Sequence, residues 1–157
     1  MSDEWATLLD RYEAGAELMR GALGLVPREL WDTAPAPGEW TARQVFVHFA
    51  DSELVGAGRI RQLLAEDGPT LFFYRQDEWA RNLDYSGASA EEAVALAVVV
   101  RRATARLLRH VVRDETWGRR ATHPTRGEMD LAALLRLYIG HVEGHIAQIE
   151  AIASGGL

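Results

Sequence analysis

Two histidines near the C-terminal end of the sequence have the residue type and spacing of metal ligands. His141 and His145 are four residues apart in a segment whose apolar residues recur at three- and four-residue intervals. In a helix this spacing places both imidazoles on one face, where two ring nitrogens can reach one ion. The alternative is a pair of core histidines held by ordinary hydrogen bonds. A shared cation is the simpler explanation, because two buried imidazoles otherwise need two separate partners.

A third histidine completes a candidate site. His48 lies between Val45 and Ser52 on the apolar stripe of an earlier helical segment, and facing helices of a bundle can present side chains to one interior point. Three neutral nitrogen ligands leave at least one coordination position for water or substrate, which is typical of catalytic metal sites. The sequence contains no cysteine, so thiolate ligands, disulfides and a cysteine nucleophile are excluded.

Several polar residues lie one turn from these histidines, and each is interpreted first as an ordinary helix residue and second as a candidate to orient a histidine. Asp51, Tyr138 and Gln148 are each three residues from a predicted ligand and share its helix face. His110, near a helix C-terminus, is interpreted as structural. His123 precedes a proline in a predicted loop and is interpreted as a structural or surface residue, with a place beside the pocket as the alternative.

Helices are needed to position these residues, and four segments have helical periodicity. The predicted helices cover about residues 3–23, 41–65, 89–113 and 128–153. Capping-box spacing marks the start of the second at Thr41 and of the third at Ser89. Residues 66–88 form a long connection, and no segment alternates strictly as an exposed strand does. The pattern predicts an all-α protein, a four-helix bundle of one domain over residues 1–157.

Charge and hydropathy exclude several classes of partner. The net charge is −6, and all 17 basic residues are arginine, so an extended phosphate-binding surface for nucleic acid is not expected. No run of about 18 apolar residues is present, and the N-terminal residues lack a basic segment followed by an apolar one. We therefore expect a cytoplasmic protein that neither spans nor binds a membrane.

Two motifs together resemble a known family. The first is Glu39-Trp40-Thr41-Ala42-Arg43-Gln44-Val45 leading to His48, and the second is Gly140-His141-Val142-Glu143-Gly144-His145-Ile146-Ala147-Gln148-Ile149. Their order, on four predicted helices, resembles the DinB/YfiT-like superfamily of metal-dependent proteins. The resemblance implies an up-up-down-down bundle and a divalent ion, zinc or nickel, on the same three histidines. It also implies a homodimer, which the many apolar residues of the first and third helices favour as well.

The resemblance also implies a class of reaction. Characterised members include enzymes that use low-molecular-weight thiols, such as mycothiol-dependent maleylpyruvate isomerase and bacillithiol transferases. We therefore expect a metal-dependent thiol S-transferase that takes a small thiol and a small electrophile, with a non-catalytic metal-binding or ligand-binding bundle as the alternative. Arg59, on the same side of its helix as His48, is interpreted first as solvent-facing and second as a partner for the thiol's carboxylate. The pattern assigns no catalytic residue.

Overall fold

Four long helices make up most of the structure, a computed structural model that describes residues 3–155 and, for residue 114, the backbone only. The helices are α1 (Asp3–Ala22), α2 (Ala42–Ala65), α4 (Ala90–Val111) and α6 (Leu131–Ala153). Shorter elements are a 3-10 turn (Arg28–Leu30), α3 (Gln76–Asn82), α5 (Asp114–Trp117), β1 (Arg120–His123) and β2 (Gly127–Asp130). The predicted four-helix bundle is confirmed.

The directions of the four helices follow from two apolar clusters at opposite ends of the bundle. One cluster contains the N-terminal parts of α1 and α6 and the C-terminal parts of α2 and α4, and the other contains the opposite ends. Ion pairs from Glu4 to Arg136 and from Arg11 to Glu143 join α1 and α6 as parallel neighbours. The order is therefore up-down-down-up, which corrects the up-up-down-down order that the resemblance implies.

The long connection after α2 allows α2 and α4 to run parallel. Since α2 and α4 are parallel, the chain has to return along the whole length of a 24-residue helix, about 36 Å, before α4 begins. Residues 66–89 cover that distance and include α3. The predicted length of this connection is confirmed, and its path brings loop residues alongside α2.

A short hairpin precedes the last helix and was not expected from the sequence. Strands β1 and β2 pair antiparallel, with Arg120 opposite Asp130, and Gly127 has the positive φ of 75° that a tight turn favours. Strands of four residues carry too short an alternation to be recognised by pattern. Asp130 then caps α6 by accepting a hydrogen bond of 2.7 Å from the Ala133 amide. The last helix therefore begins at Leu131 and not near residue 128.

One ion pair lies at the centre of the bundle, where the four helices meet. Arg101 of α4 and Glu53 of α2 are both almost fully buried and lie 2.6 Å apart. Arg101 also donates hydrogen bonds to the carbonyls of Tyr12 in α1 and Tyr138 in α6. This guanidinium therefore contacts all three of the other long helices.

The capping of α2 agrees with its sequence. Thr41 and Gln44 form both hydrogen bonds of a capping box. Farther along α2, Gly56 faces the ring of Tyr138 in α6, where an added Cβ would lie 2.7 Å from the ring. The absence of a side chain at this position permits the close approach of the two helices that carry the histidines.

None of the helices in the described part of the chain has both the length and the hydropathy needed for a bilayer span.

Candidate metal centre

The three predicted histidines converge between α2 and α6. His48 of α2 is fully buried, and its ring centroid lies 5.0 Å from that of His141 and 4.9 Å from that of His145. One ring nitrogen from each residue lies within 4.8 Å of the corresponding atoms of the other two. The antiparallel packing of α2 on α6 thus brings together side chains that are distant in sequence.

Burial keeps these imidazoles neutral. The apolar surroundings and the two neighbouring histidines lower the pKa of His48 to about 2. Burial, together with the neighbouring His145 and the charge of Arg101, lowers the pKa of His141 to about 3. Burial also lowers the pKa of His145, although a hydrogen bond to Gln148 opposes it. Neutral imidazole is the form that binds a metal, so the three rings are in the required state at neutral pH.

A hydrogen bond fixes the tautomer of His145. Its Nδ1 lies 2.8 Å from Oε1 of Gln148, and an amide oxygen can only accept, so Nδ1 carries the proton. The Nε2 atom of His145 is left with a free lone pair. Gln148 was one of the candidates to orient a histidine, and the structure places it in contact with His145.

A chain of hydroxyl groups fixes the tautomer of His48. The Tyr85 hydroxyl donates to Asp51 at 2.5 Å, the Tyr74 and Tyr85 hydroxyls lie 3.4 Å apart, and the Tyr74 hydroxyl lies 3.1 Å from His48 Nδ1. Because the Tyr85 proton points to Asp51, Tyr74 donates to Tyr85 and accepts from His48 Nδ1. The Nε2 lone pair of His48 is thereby left free.

The other two candidate orienting residues, Asp51 and Tyr138, do not hydrogen-bond to a histidine. Asp51 does not contact His48 directly and is connected to it through the two tyrosines. The Tyr138 hydroxyl accepts a hydrogen bond of 3.1 Å from Arg59 and none from His141. Tyr74 and Tyr85 were missed, because they lie in a connection without periodicity and only the path of the chain places them here.

The contact between His48 and His141 is one that a shared cation would satisfy. Their Nε2 atoms lie 3.0 Å apart. With neutral rings, this contact requires either a proton on His141 Nε2 or a positive ion between the lone pairs. The donor set of three neutral nitrogens is one that zinc, nickel and related ions accept.

A cavity of about 320 Å³ lies beside the histidines, with His141 and Tyr74 in its wall. Arg59, only 6% exposed, and His123, also 6% exposed, line the same cavity. The first interpretation of Arg59 as solvent-facing is therefore wrong, and the alternative position of His123 beside the pocket is confirmed. Arg59 is eleven residues from His48, a spacing that returns to the same helix face. His110 is exposed near the end of α4.

Comparisons with known proteins agree with this architecture. A protein from Bacillus subtilis named "Putative metal-dependent hydrolase YfiT" is 30% identical over 152 residues, covering 96% of this chain and 83% of that protein. A relative from Oceanobacillus iheyensis, also named a "Putative metal-dependent hydrolase", is 27% identical over 150 residues, covering 96% of this chain and 84% of the relative.

The solved structure of B. subtilis YfiT superimposes with a TM-score of 0.88 at 28% identity, over 98% of this chain and 89% of that one. It is described as "a probable metal-dependent hydrolase with an unusual four-helix bundle topology". The family model of the DinB superfamily matches residues 11–149. With the bundle and the histidine cluster in place, the chain belongs to the DinB superfamily.

Proposed function

We propose that His48, His141 and His145 bind one divalent metal ion, zinc or nickel, and that the protein is a metal-dependent enzyme of the thiol S-transferase type. The observation that carries the proposal is the convergence of three neutral imidazoles, two of them with Nδ1 held by a hydrogen-bonding partner so that Nε2 faces the common centre. Such outer partners orient metal-binding histidines and raise their basicity.

The cavity supplies the second requirement, which is space for a small molecule. Three protein ligands leave a coordination position, and His141 also forms part of the cavity wall. A divalent ion held here would lower the pKa of a bound thiol or water and make it nucleophilic at neutral pH. The cavity volume is at the lower end of the range for small-ligand sites.

The thiol has to come from outside the chain, because the sequence contains no cysteine. In the proposed transfer, the sulfur forms a bond to an electrophilic carbon, the leaving group departs with its electron pair, and the thiol proton passes to solvent. The histidines hold the reacting centre, and the cavity beside His141 positions the thiol and the electrophile.

Hydrolysis is the second candidate function. The names of the relatives from B. subtilis and O. iheyensis favour it, and the same site would serve, with water in place of the thiol. The two candidates differ only in the nucleophile that occupies the open position.

Metal analysis of protein purified without a histidine tag, followed by two assays on the loaded protein, tests the proposal. The first assay measures conjugation of a panel of small thiols to 1-chloro-2,4-dinitrobenzene, and the second measures hydrolysis of p-nitrophenyl acetate. We expect one ion per chain and thiol conjugation that the His145→Ala variant loses. Hydrolysis without conjugation would establish the second candidate. A loaded protein inactive in both assays would instead be a non-catalytic binder, and failure to bind any metal would contradict both functions.

A further inference from the structure

The cavity beside His141 carries an excess of positive charge. Eleven residues line it, among them Arg59, Arg126 and His123, and none is an aspartate or a glutamate. The whole chain has a net charge of −6 with 23 acidic residues. A cavity that contains two arginines and no carboxylate in an acidic protein favours an anionic ligand.

Arg59 is a buried cation without a counter-ion. Its Nε and one terminal nitrogen donate to the carbonyl of Phe72 at 3.2 and 2.8 Å, and the other terminal nitrogen donates to the Tyr138 hydroxyl. All of these acceptors are neutral, and no carboxylate among the described side chains lies within 4.0 Å of the guanidinium. Buried charges in proteins are normally paired.

Arg101, the other buried arginine, differs from Arg59 because it is paired with a carboxylate. Arg101 lies 2.6 Å from the carboxylate of Glu53. Both guanidinium groups are removed from solvent, but only the one in the cavity wall lacks a carboxylate partner. An anion bound in the cavity would supply the partner that Arg59 lacks.

His123 contacts Arg59 in the wall of the same cavity. Arg59 approaches its Nε2 at 3.0 Å, and the amide nitrogen and the hydroxyl of Thr125 each lie 3.3 Å from its Nδ1. Since Nε2 accepts from Arg59, the neutral ring carries its proton on Nδ1 and can donate it to the Thr125 hydroxyl. Burial and the fields of Arg59 and Arg126 lower the pKa of His123. The neutral ring leaves the charge of Arg59 uncompensated, and an oxyanion in the cavity would be its counter-ion.

We propose that Arg59, His123 and Arg126 form a subsite that binds an oxyanion, the carboxylate or phosphate group of the small molecule acted on at the three-histidine centre. The assignment of that molecule as substrate rests on the proposed function, whereas anion binding by these residues does not. His141 and the subsite share one cavity, so one ligand can place its anionic end at the arginines and its reactive end at the histidines. Substrates of this site are accordingly small organic anions.

Binding of matched probes tests the subsite. The full chain is titrated at constant ionic strength with propionate, methyl phosphate and the neutral propionamide, and the backbone amide NMR signals of His123 and Thr125 are followed. Titrations are made with zinc added and again after dialysis against a chelator. We expect saturable shifts with at least one of the two anions and at least tenfold weaker binding of propionamide. The anion that binds more tightly identifies the group.

Substitutions at exposed arginines distinguish binding of the anion in the subsite from non-specific attraction by the positive charge of the protein surface. Arg126→Gln is expected to weaken anion binding about threefold to tenfold, as loss of a charged hydrogen-bond donor predicts. Arg126→Lys retains most of the binding, and Arg106→Gln, an exposed position on α4 outside the cavity lining, leaves it unchanged.

Equal binding of propionamide and the anions, or no effect of Arg126→Gln, would overturn the subsite whether or not zinc binds. Failure of zinc to bind, with anion binding intact after chelation, would instead contradict the proposed function and leave the subsite established.

Discussion

The Nε2 atoms of His48 and His141 lie 3.0 Å apart although the two residues are separated by 93 positions in the sequence. Neither ring is positively charged at neutral pH, since burial and the neighbouring imidazoles lower the pKa values of both. The site is thus held in its metal-binding protonation state by the fold itself. This state has consequences for stability, for metal affinity and for the residues that support the ligands.

The stability of the metal-free protein is expected to fall as pH drops below about 6.5. His48 has a pKa of about 2 in the folded protein against its ordinary value of 6.5, so the unfolded chain binds more protons between these values. This contribution is fully present above pH 6.5 and is lost progressively toward lower pH. Urea unfolding from pH 8 to pH 5 measures it. His48→Gln is expected to flatten the profile, and His110→Gln is not; an unchanged slope in His48→Gln would contradict the assignment.

Replacing His145 with Ala is expected to weaken metal binding sharply, because two imidazoles hold a divalent ion much less firmly than three. The fold is expected to survive, since His145 is only partly buried and the apolar clusters do not include it. Equilibrium dialysis with zinc and with nickel measures affinity and stoichiometry. The exposed His110→Ala variant serves as the control. Parental affinity in His145→Ala would exclude the three-histidine site.

Tyr85→Phe is expected to weaken metal binding about tenfold, less than loss of a ligand does. Without this hydroxyl, the Tyr74 proton is no longer directed away from His48, and the tautomer with a free Nε2 is less favoured. Zinc affinity from competition with a chromogenic chelator measures the change. Tyr138→Phe is the matched control, since it removes a nearby tyrosine hydroxyl that hydrogen-bonds to Arg59 and to none of the three histidines. Equal losses in both variants would count against the hydroxyl chain.

Glu53→Gln is expected to destabilise the protein by about 3 kcal/mol or more, because it leaves the charge of Arg101 buried without a counter-ion. Urea denaturation measures the change in the free energy of unfolding. Glu4→Gln, which breaks the exposed ion pair with Arg136, is expected to cost less than about 0.5 kcal/mol. A small effect at Glu53 would mean that Arg101 finds another partner.

Homodimerisation remains a prediction. Leu18 on α1 and Leu96 and Val99 on α4 are 42%, 43% and 61% exposed, and α1 packs against α4. We expect sedimentation velocity to show a dimer at micromolar concentration, and Val99→Glu to shift it toward monomer because a charge resists burial in an apolar interface. A parent protein that sediments only as a monomer would end this prediction.

Local patterns were sufficient to predict the helices that carry the ligands. The capping box at Thr41 and the spacing of His141 and His145 depend on residues within one or two turns, so the sequence shows them directly. His48 was assigned to the same site because its apolar stripe has to face the core of a bundle. The clustering of these three histidines is confirmed.

Residues that reach the site over long distances could not be predicted in the same way. Tyr74 and Tyr85 are brought to the site by the path of the connection after α2, and that path depends on the parallel packing of α2 and α4. Arg59 and His123 meet only when the β1–β2 hairpin packs beside α2. Arg101 carried no signal of burial, because its partner Glu53 lies 48 positions away.

Because the three histidines are divided between α2 and α6, a metal ion bound to all of them would act as a reversible crosslink between these helices. In the unfolded chain, bringing His48 back to His141 costs the entropy of closing a long loop, so only the neighbouring pair on α6 remains as a chelating unit. A bound metal ion would consequently stabilise the folded state by mass action. Any affinity of the His141 and His145 pair for the ion in the unfolded chain would reduce this stabilisation. Metal supply in the cell would then influence how long each molecule escapes proteolysis, independently of any reaction at the site.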